Sequence, residues 1–397
     1  MLRGERESLR GEGKTMDFDL SDEQRQLKES VERLLADAYG DLNLRTGYTR
    51  EPNGYSAALW QHYADLGLLA APFAEEHGGL DQGPTETMIV AEALGRALAV
   101  EPYHATIVLA GGALRHAGNA ALLAELVPAI AAGQLTIALA HQERQSRYDL
   151  ADTSTTARAD GKGGYTLEGE KMVVLAGDGA DKLIVSARAS GGRTDRGGIG
   201  LFLVDAKANG VTRRGYPTQD GMRAADVTLS GVKVGPEAVL AGPEKGLEVL
   251  ERVVDEAIAA LAAEAVGAMA GLTEITVEYL KTRKQFGVPI GSFQVLQHRA
   301  VDMLTAMEQA RSMAFYATMM ATEPDAGERR RAMSAAKVQI GRSGRLVGES
   351  AIQLHGGIGM TMEYKAGHYF KRLTMIDVAF GDADYHLREL ARMGGLS

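Results

Sequence analysis

The strongest constraint in this 397-residue sequence is that its hydrophobic period changes twice. From Ser21 to about Gly133 apolar residues recur at helical spacing, as in Leu27, Val31, Leu34 and Leu35. Ser21 and Gln24 have the spacing of a capping box, so Met16 is the natural beginning of the fold. Residues 1–15 read as a disordered leader. Breaks in the helical pattern fall at 40–55, Pro72, 76–84 and 101–102. Between Gln134 and about Val239 the runs become short and β-branched, at 135–140, 153–159, 165–175, 182–187, 199–204, 211–214 and 225–234. After Pro243 the helical period returns over 247–282, 292–322, 325–354 and 364–380. A chain of this length exceeds one core. The expected fold is α+β: an N-terminal helical domain over 16–133, a middle antiparallel β-domain over 134–242 and a C-terminal four-helix bundle over 243–397.

Composition narrows the function by exclusion. The net charge of −9, without a long basic run, gives no reason to expect a nucleic-acid partner. The longest apolar stretch, 253–272, carries Asp255, Glu256 and Glu264, which are costly in lipid, so it reads as a buried helix and not a membrane span. With no cysteine there are no disulfides, thiolate nucleophiles or Cys-based metal sites; no metal centre is expected, and a reducing, cytoplasmic setting fits.

Two stretches carry chemistry. In Arg283-Lys284-Gln285-Phe286-Gly287-Val288-Pro289 a cationic pair and an aromatic ring precede a Gly and a Pro that stop one helix, and Ser292 is placed to cap the next and offer free N–H groups to an anion. The plain alternative is a solvated helix end with Phe286 as a core plug. The second stretch, Gln353-Leu354-His355-Gly356-Gly357, ends a later helical pattern. Together they resemble two signatures of the acyl-CoA dehydrogenase flavoenzymes, and the resemblance extends over residues 16–397. Within that family the chain is most similar to pimeloyl-CoA dehydrogenase small subunits, through Glu143-Arg144-Gln145-Ser146-Arg147-Tyr148-Asp149-Leu150, residues 16–21 and 215–221, and Phe380-Gly381-Asp382-Ala383-Asp384.

The resemblance implies FAD between the β-domain and the bundle, and an acyl-CoA substrate. It places Arg283 on the FAD pyrophosphate and Phe286 against the cofactor, with Phe293, Gln294, Gln353, Gly356 and Gly357 on a FAD held mainly by the neighbouring subunit. Leu139, His141 and Gln142 fall in the loop over the flavin, and Val173 and Leu175 in the strand beside it. Here the chain departs from the family: Gln142 replaces a Thr, Arg147 and Tyr148 replace a Gly and a Ser, and the flavin-side Trp and Thr are missing.

The catalytic base departs further. Family chemistry needs a carboxylate to take the α-proton, yet the usual position is Phe380 and the alternative on the first bundle helix is Ala257. Asp382 and Glu256 are the candidate substitutes, each with an ordinary explanation: Asp382 as a helix cap, Glu256 as a surface partner of Arg252. His355 and His386 are further candidates for proton transfer or for structural hydrogen bonds. Arg144 and Arg147 either pair with Glu143 and Asp149 or meet a distal carboxylate of the substrate, as a dicarboxylyl-CoA would require. Three roles stay open. The chain is a dehydrogenase subunit whose related large subunit supplies the base, or a self-sufficient homo-oligomer using Asp382 or Glu256, or a structural subunit. In the enzymatic cases a flavoprotein accepts the electrons.

Overall fold

The computed structural model of the chain describes residues 20–394. The expected leader and the start motif up to Asp19 lie outside the described residues. The first helix, α1 (Asp22–Tyr39), begins on the capping box: Gln24 N–H donates to Ser21 Oγ at 3.2 Å and Ser21 N–H to Gln24 Oε1 at 3.0 Å. A short helix, α2 (Leu42–Tyr48), forms inside an expected break because Asp41 caps it through Asn43 N–H. α3 (Ala57–Asp65) and α4 (Pro84–Ala97) follow, then a π-helical turn, His104–Ala110, which runs into α5 (Gly111–Ala117) and leads to α6 (Ala120–Ala131).

The eight strands of the middle region are β1 (Ile137–Ala140), β2 (Thr156–Ala159), β3 (Tyr165–Leu175), β4 (Lys182–Arg188), β5 (Ile199–Asp205), β6 (Val211–Pro217), β7 (Arg223–Val234) and β8 (Val239–Ala241). They form one sheet in the order β6-β7-β3-β2-β4-β5-β8, with β1 also paired to β4. The sheet is antiparallel, as expected, at every pairing but two. β1 runs parallel to β4, Ile137 opposite Lys182, and β2 meets β4 in parallel at Thr156 and Arg188. A parallel pair needs a long connection, and the 141–155 loop with the β2–β3 hairpin supplies it. Where β3 pairs with β7 the register slips between Lys171 and Val174, and Val173 takes φ +51°.

Beyond the sheet, α7 (Gly246–Thr282) runs for 37 residues through the centre of the protein, and α8 (Gln294–Met320), α9 (Ala326–His355) and α10 (Lys365–Val378) pack around it. α7 is long and apolar enough to cross a membrane, but its apolar stretch is buried inside the protein. Its small residues serve close helix packing. A Cβ on Gly267 would sit 1.8 Å from the Glu92 carbonyl oxygen of α4, and one on Gly95 of α4 would sit 1.9 Å from the Glu264 carbonyl oxygen.

Two local expectations fail. Ser292 does not cap α8; its hydroxyl donates to the Pro289 carbonyl at 2.8 Å, because residues 284–289 form a hairpin of β9 (Lys284–Gln285) and β10 (Val288–Pro289). Phe286 and Gly287 turn it with φ +53° and +83°, the two positive values such a turn requires. The last expected helix also ends early, at Val378, and a separate α11 (Ala383–Arg392) starts on Asp382.

Candidate functional site

A cavity of about 420 Å³ lies where the sheet, the π-helical turn, α7 and the α10–α11 elbow meet. Seven non-glycine residues among those described have positive φ, and four of them, Arg147, Val173, Ala176 and Phe380, line this cavity. For a β-branched or aromatic residue this backbone is costly, on the order of 1–3 kcal/mol each, and it persists only where surrounding contacts impose it. Such clustering marks a built site.

At Phe380 those contacts are visible. A carbonyl oxygen only accepts, so His386 Nε2–H donates to the Phe380 carbonyl at 3.0 Å, and Nδ1 then accepts from the Ser334 hydroxyl at 3.1 Å. The buried Lys337 ammonium donates to the Ile376 and Asp377 carbonyls at 2.7 and 2.9 Å, and burial pushes it down to about 8. The elbow is therefore pinned from both sides. It presents the Phe380 ring against His141, stacked at 5.9 Å, and His104, tilted at 6.2 Å. Burial first, then the charge of Lys171, pushes His141 down to about 4; burial and the charge of Arg372 push His104 to about 3. Both imidazoles are neutral at ordinary pH.

The 141–150 loop is organised by Glu143, whose carboxylate accepts from Lys171 Nζ at 2.7 Å and from the Ser154 and Thr155 amides at 2.7 and 3.0 Å. Burial alone would raise this carboxyl, but the Lys171 charge and hydrogen bond hold it at about 2. With Glu143 committed inward it is unavailable to the arginines, which removes the ion pair expected for them. Arg147 is exposed, lines the cavity and has no carboxylate partner among the described residues. Arg144 is exposed, reaches Met172 Sδ at 3.8 Å, and is not part of the wall.

The candidate bases land elsewhere. Asp382 is a cap: its Oδ1 accepts from Tyr385 N–H at 2.7 Å and its Oδ2 from Tyr148 OH at 3.4 Å, and it does not line the cavity. Glu256 points away from the cavity toward α5, bound by Arg115 at 2.9 Å, His116 at 2.7 Å and, as expected, Arg252 at 3.8 Å, but in a half-buried cluster rather than a surface pair. One position along α7 is 100° of rotation, and the cavity face instead carries Val254, Asp255 and Ile258. Asp255, which sequence reasoning missed, is buried and its carboxyl is raised by that burial, although Arg329 Nε binds it at 2.9 Å. The other carboxylates of the wall are also engaged: Asp220 by Arg372, Glu251 by Arg196 and Arg330, Glu389 by Arg392, and Asp149 by the Ala151 amide. His355 Nδ1 is hydrogen-bonded to the Ala351 carbonyl at 2.8 Å, away from the cavity.

The remaining sequence candidates divide into two groups. Leu139, His141, Gln142, Val173 and Leu175 line the cavity. Arg283, Phe286, Phe293, Gln294, Gln353, Gly356 and Gly357 do not; all are exposed, Phe286 to 92%, which rules it out as a core plug. Phe286 and Phe293 meet edge to face at 6.2 Å. Gly356 ends α9 at φ +63°, whereas a Cβ at Gly357 would touch nothing in this chain. Around them Val295, Met360 and Met362 are 60–72% exposed, a cationic and apolar face left uncovered. One chain thus carries an inward cavity and a separate outward face, not joined.

Comparison with known proteins gives both halves a family. The N-terminal, middle and C-terminal domain models of acyl-CoA dehydrogenases match residues 21–134, 138–232 and 244–394. The mitochondrial 2-methylacyl-CoA dehydrogenase of Solanum tuberosum is 30% identical over 377 residues, 92% of this chain and 89% of that protein. The ChsE4–ChsE5 complex from Mycobacterium tuberculosis matches with TM-score 0.85 and 25% identity, over 96% of this chain and 100% of the other. An FAD complex of PigA matches with TM-score 0.86 and 25% identity, over the same shares.

Proposed function

This chain belongs to the acyl-CoA dehydrogenase family, and from that premise we propose that it is the FAD-dependent subunit of a hetero-oligomeric dehydrogenase that introduces an α,β double bond into an acyl-CoA. The reading rests on Phe380, which the sequence resemblance sets at the position of the family's base and which lines a cavity whose described carboxylates all have partners. The α-proton must reach a carboxylate, so the base comes from a related large subunit.

The residues present fit FAD. His141 Nδ1 is buried in the cavity wall, and no partner among the described residues meets hydrogen-bond geometry with it, so a flavin edge would suit it, and Leu139, Gln142, Val173 and Leu175 adjoin it. Arg283, Phe286, Phe293, Gln294, Gln353, Gly356 and Gly357 would hold the dinucleotide end for a neighbouring subunit, since they face outward. When bound, FAD accepts the hydride, and a flavoprotein acceptor takes its electrons onward. The relation to a two-component structure, ChsE4–ChsE5, supports a partner subunit here.

For the substrate the unpaired guanidinium of Arg147 supports a dicarboxylyl-CoA such as pimeloyl-CoA, because a fork of donors suits a distal carboxylate. Arg147→Ala should raise KM for pimeloyl-CoA about tenfold in the assembled enzyme and change KM for heptanoyl-CoA little, since a lost charged hydrogen bond is worth about 1.5–3 kcal/mol. Equal effects on both substrates would remove the dicarboxylate reading.

A self-sufficient homo-oligomer is the second reading, and its one supporting observation is Asp255 on the cavity face. Turnover by this chain alone, abolished in Asp255→Asn, would establish it. Turnover only after co-expression with a large subunit supports the shared site.

A further inference from the structure

His104 opens the π-helical turn and forms part of the cavity wall beside Phe380. Its Nε2 is buried without a partner, and neither ring nitrogen makes a hydrogen bond among the described residues. An unpaired buried imidazole is destabilising, so a group that binds in the cavity is the natural partner. The surroundings define what that group is. Arg372, the cation whose charge acts on the ring, is bound by Glu264 at 2.6 and 2.8 Å and by Asp220 at 2.7 Å. Arg45 adds a second cation next to Asp220, donating to its carbonyl at 2.6 Å, so the two guanidiniums balance the two carboxylates and offer an anion no net attraction. The ring itself is neutral, because burial and the Arg372 charge oppose protonation. A neutral imidazole beside this charge-balanced cluster pairs best with an uncharged oxygen.

We infer that His104 is a specificity residue that hydrogen-bonds a keto or hydroxyl oxygen on the acyl group, so that the cavity selects an oxygenated acyl thioester over a plain one. This rests on the acyl-CoA reading above and adds to it a second polar contact, distinct from Arg147 at the 141–150 loop. Phe380, 6.2 Å from the His104 ring, covers the imidazole with an apolar face; a passing alkyl chain meets Phe380, while an oxygen has the imidazole as its partner.

The test uses the full chain, with its flavin if it purifies with one, and measures binding by calorimetry for pimeloyl-CoA and its 3-, 4- and 5-oxo derivatives. At least one oxo probe should bind about tenfold more tightly than pimeloyl-CoA, and His104→Leu should erase that advantage, bringing the ratio of the two affinities to about one. Nitrogen chemical shifts of His104 should move with that probe and not with pimeloyl-CoA. Equal affinity for all four probes, or an advantage that survives His104→Leu, would overturn the inference while leaving the acyl-CoA reading in place. If none of the four binds, this inference and the dicarboxylyl-CoA reading fall together, while the acyl-CoA reading is tested separately by the flavin reduction below. Should His104→Leu fail to fold, His104→Gln, which keeps a hydrogen-bonding amide, must retain the preference; its loss of preference with intact pimeloyl-CoA binding would count against a simple hydrogen-bond role.

Discussion

At the residue scale the chain shows how a step of one position on a helix separates chemistry from structure. Glu256 and Asp255 are neighbours in sequence, yet one neutralises Arg115, His116 and Arg252 and the other faces the cavity. Burial would raise the Glu256 carboxyl, but the His116 hydrogen bond and the Arg115 charge bring it down to about 2, against 4.5 when exposed. A carboxyl depressed on folding adds stability that is present above its unfolded value and is lost as pH falls from about 4.5 towards 2. Glu256→Gln should therefore lower stability by about 3 kcal/mol at neutral pH, seen as a lower melting temperature, and the variant and parent should converge as pH falls through that window. A melting temperature unchanged at pH 7 would mean the cluster contributes nothing. The sequence could mark Arg147, Val173 and Phe380 because a family motif ran through them. It could not mark Asp255 or His104, because helical phase in a residue-dense apolar stretch is ambiguous and an orphaned imidazole is visible only once its surroundings are placed.

At the element scale the site depends on how closely α7 approaches its neighbours. Glycines at 95 and 267 let α4 and α7 meet backbone to backbone, which fixes α7 against the N-terminal helices and so positions its cavity face opposite the π-helical turn. Gly267→Ala puts a methyl group 1.8 Å from a main-chain oxygen that can move only with α4. It should cost about 2–4 kcal/mol and reduce acyl-CoA binding through displacement of α7, whereas Gly287→Asn, in a turn where nothing lies within 4 Å, should cost well under 1 kcal/mol. Comparable melting temperatures for the two variants would show that helix approach is not limiting. Most elements were legible from periodicity alone: the long helices and seven strands follow it closely. The misses have local causes. α2 and α11 are short helices that owe their existence to the capping residues Asp41 and Asp382, and β8 is three residues long. The parallel pairing of β1 with β4 is a long-range choice that no local pattern contains.

For the whole molecule, the central feature is a division between an inward cavity without a free carboxylate and an outward face carrying Arg283, Phe286 and Gln353. The motifs for both faces were readable in the sequence, but their separation was not, since it follows from the path of α7 and α9 across the protein. Under the proposed function, a flavin dinucleotide uses both faces across two chains, and a partner brings the carboxylate that accepts the proton. The direct measurement is anaerobic mixing of flavin-loaded protein with pimeloyl-CoA, following loss of the oxidised flavin absorbance. The account predicts that the chain alone stays yellow and that the same chain assembled with a related large subunit bleaches. Rapid bleaching by the chain alone would contradict it and place the base within this sequence.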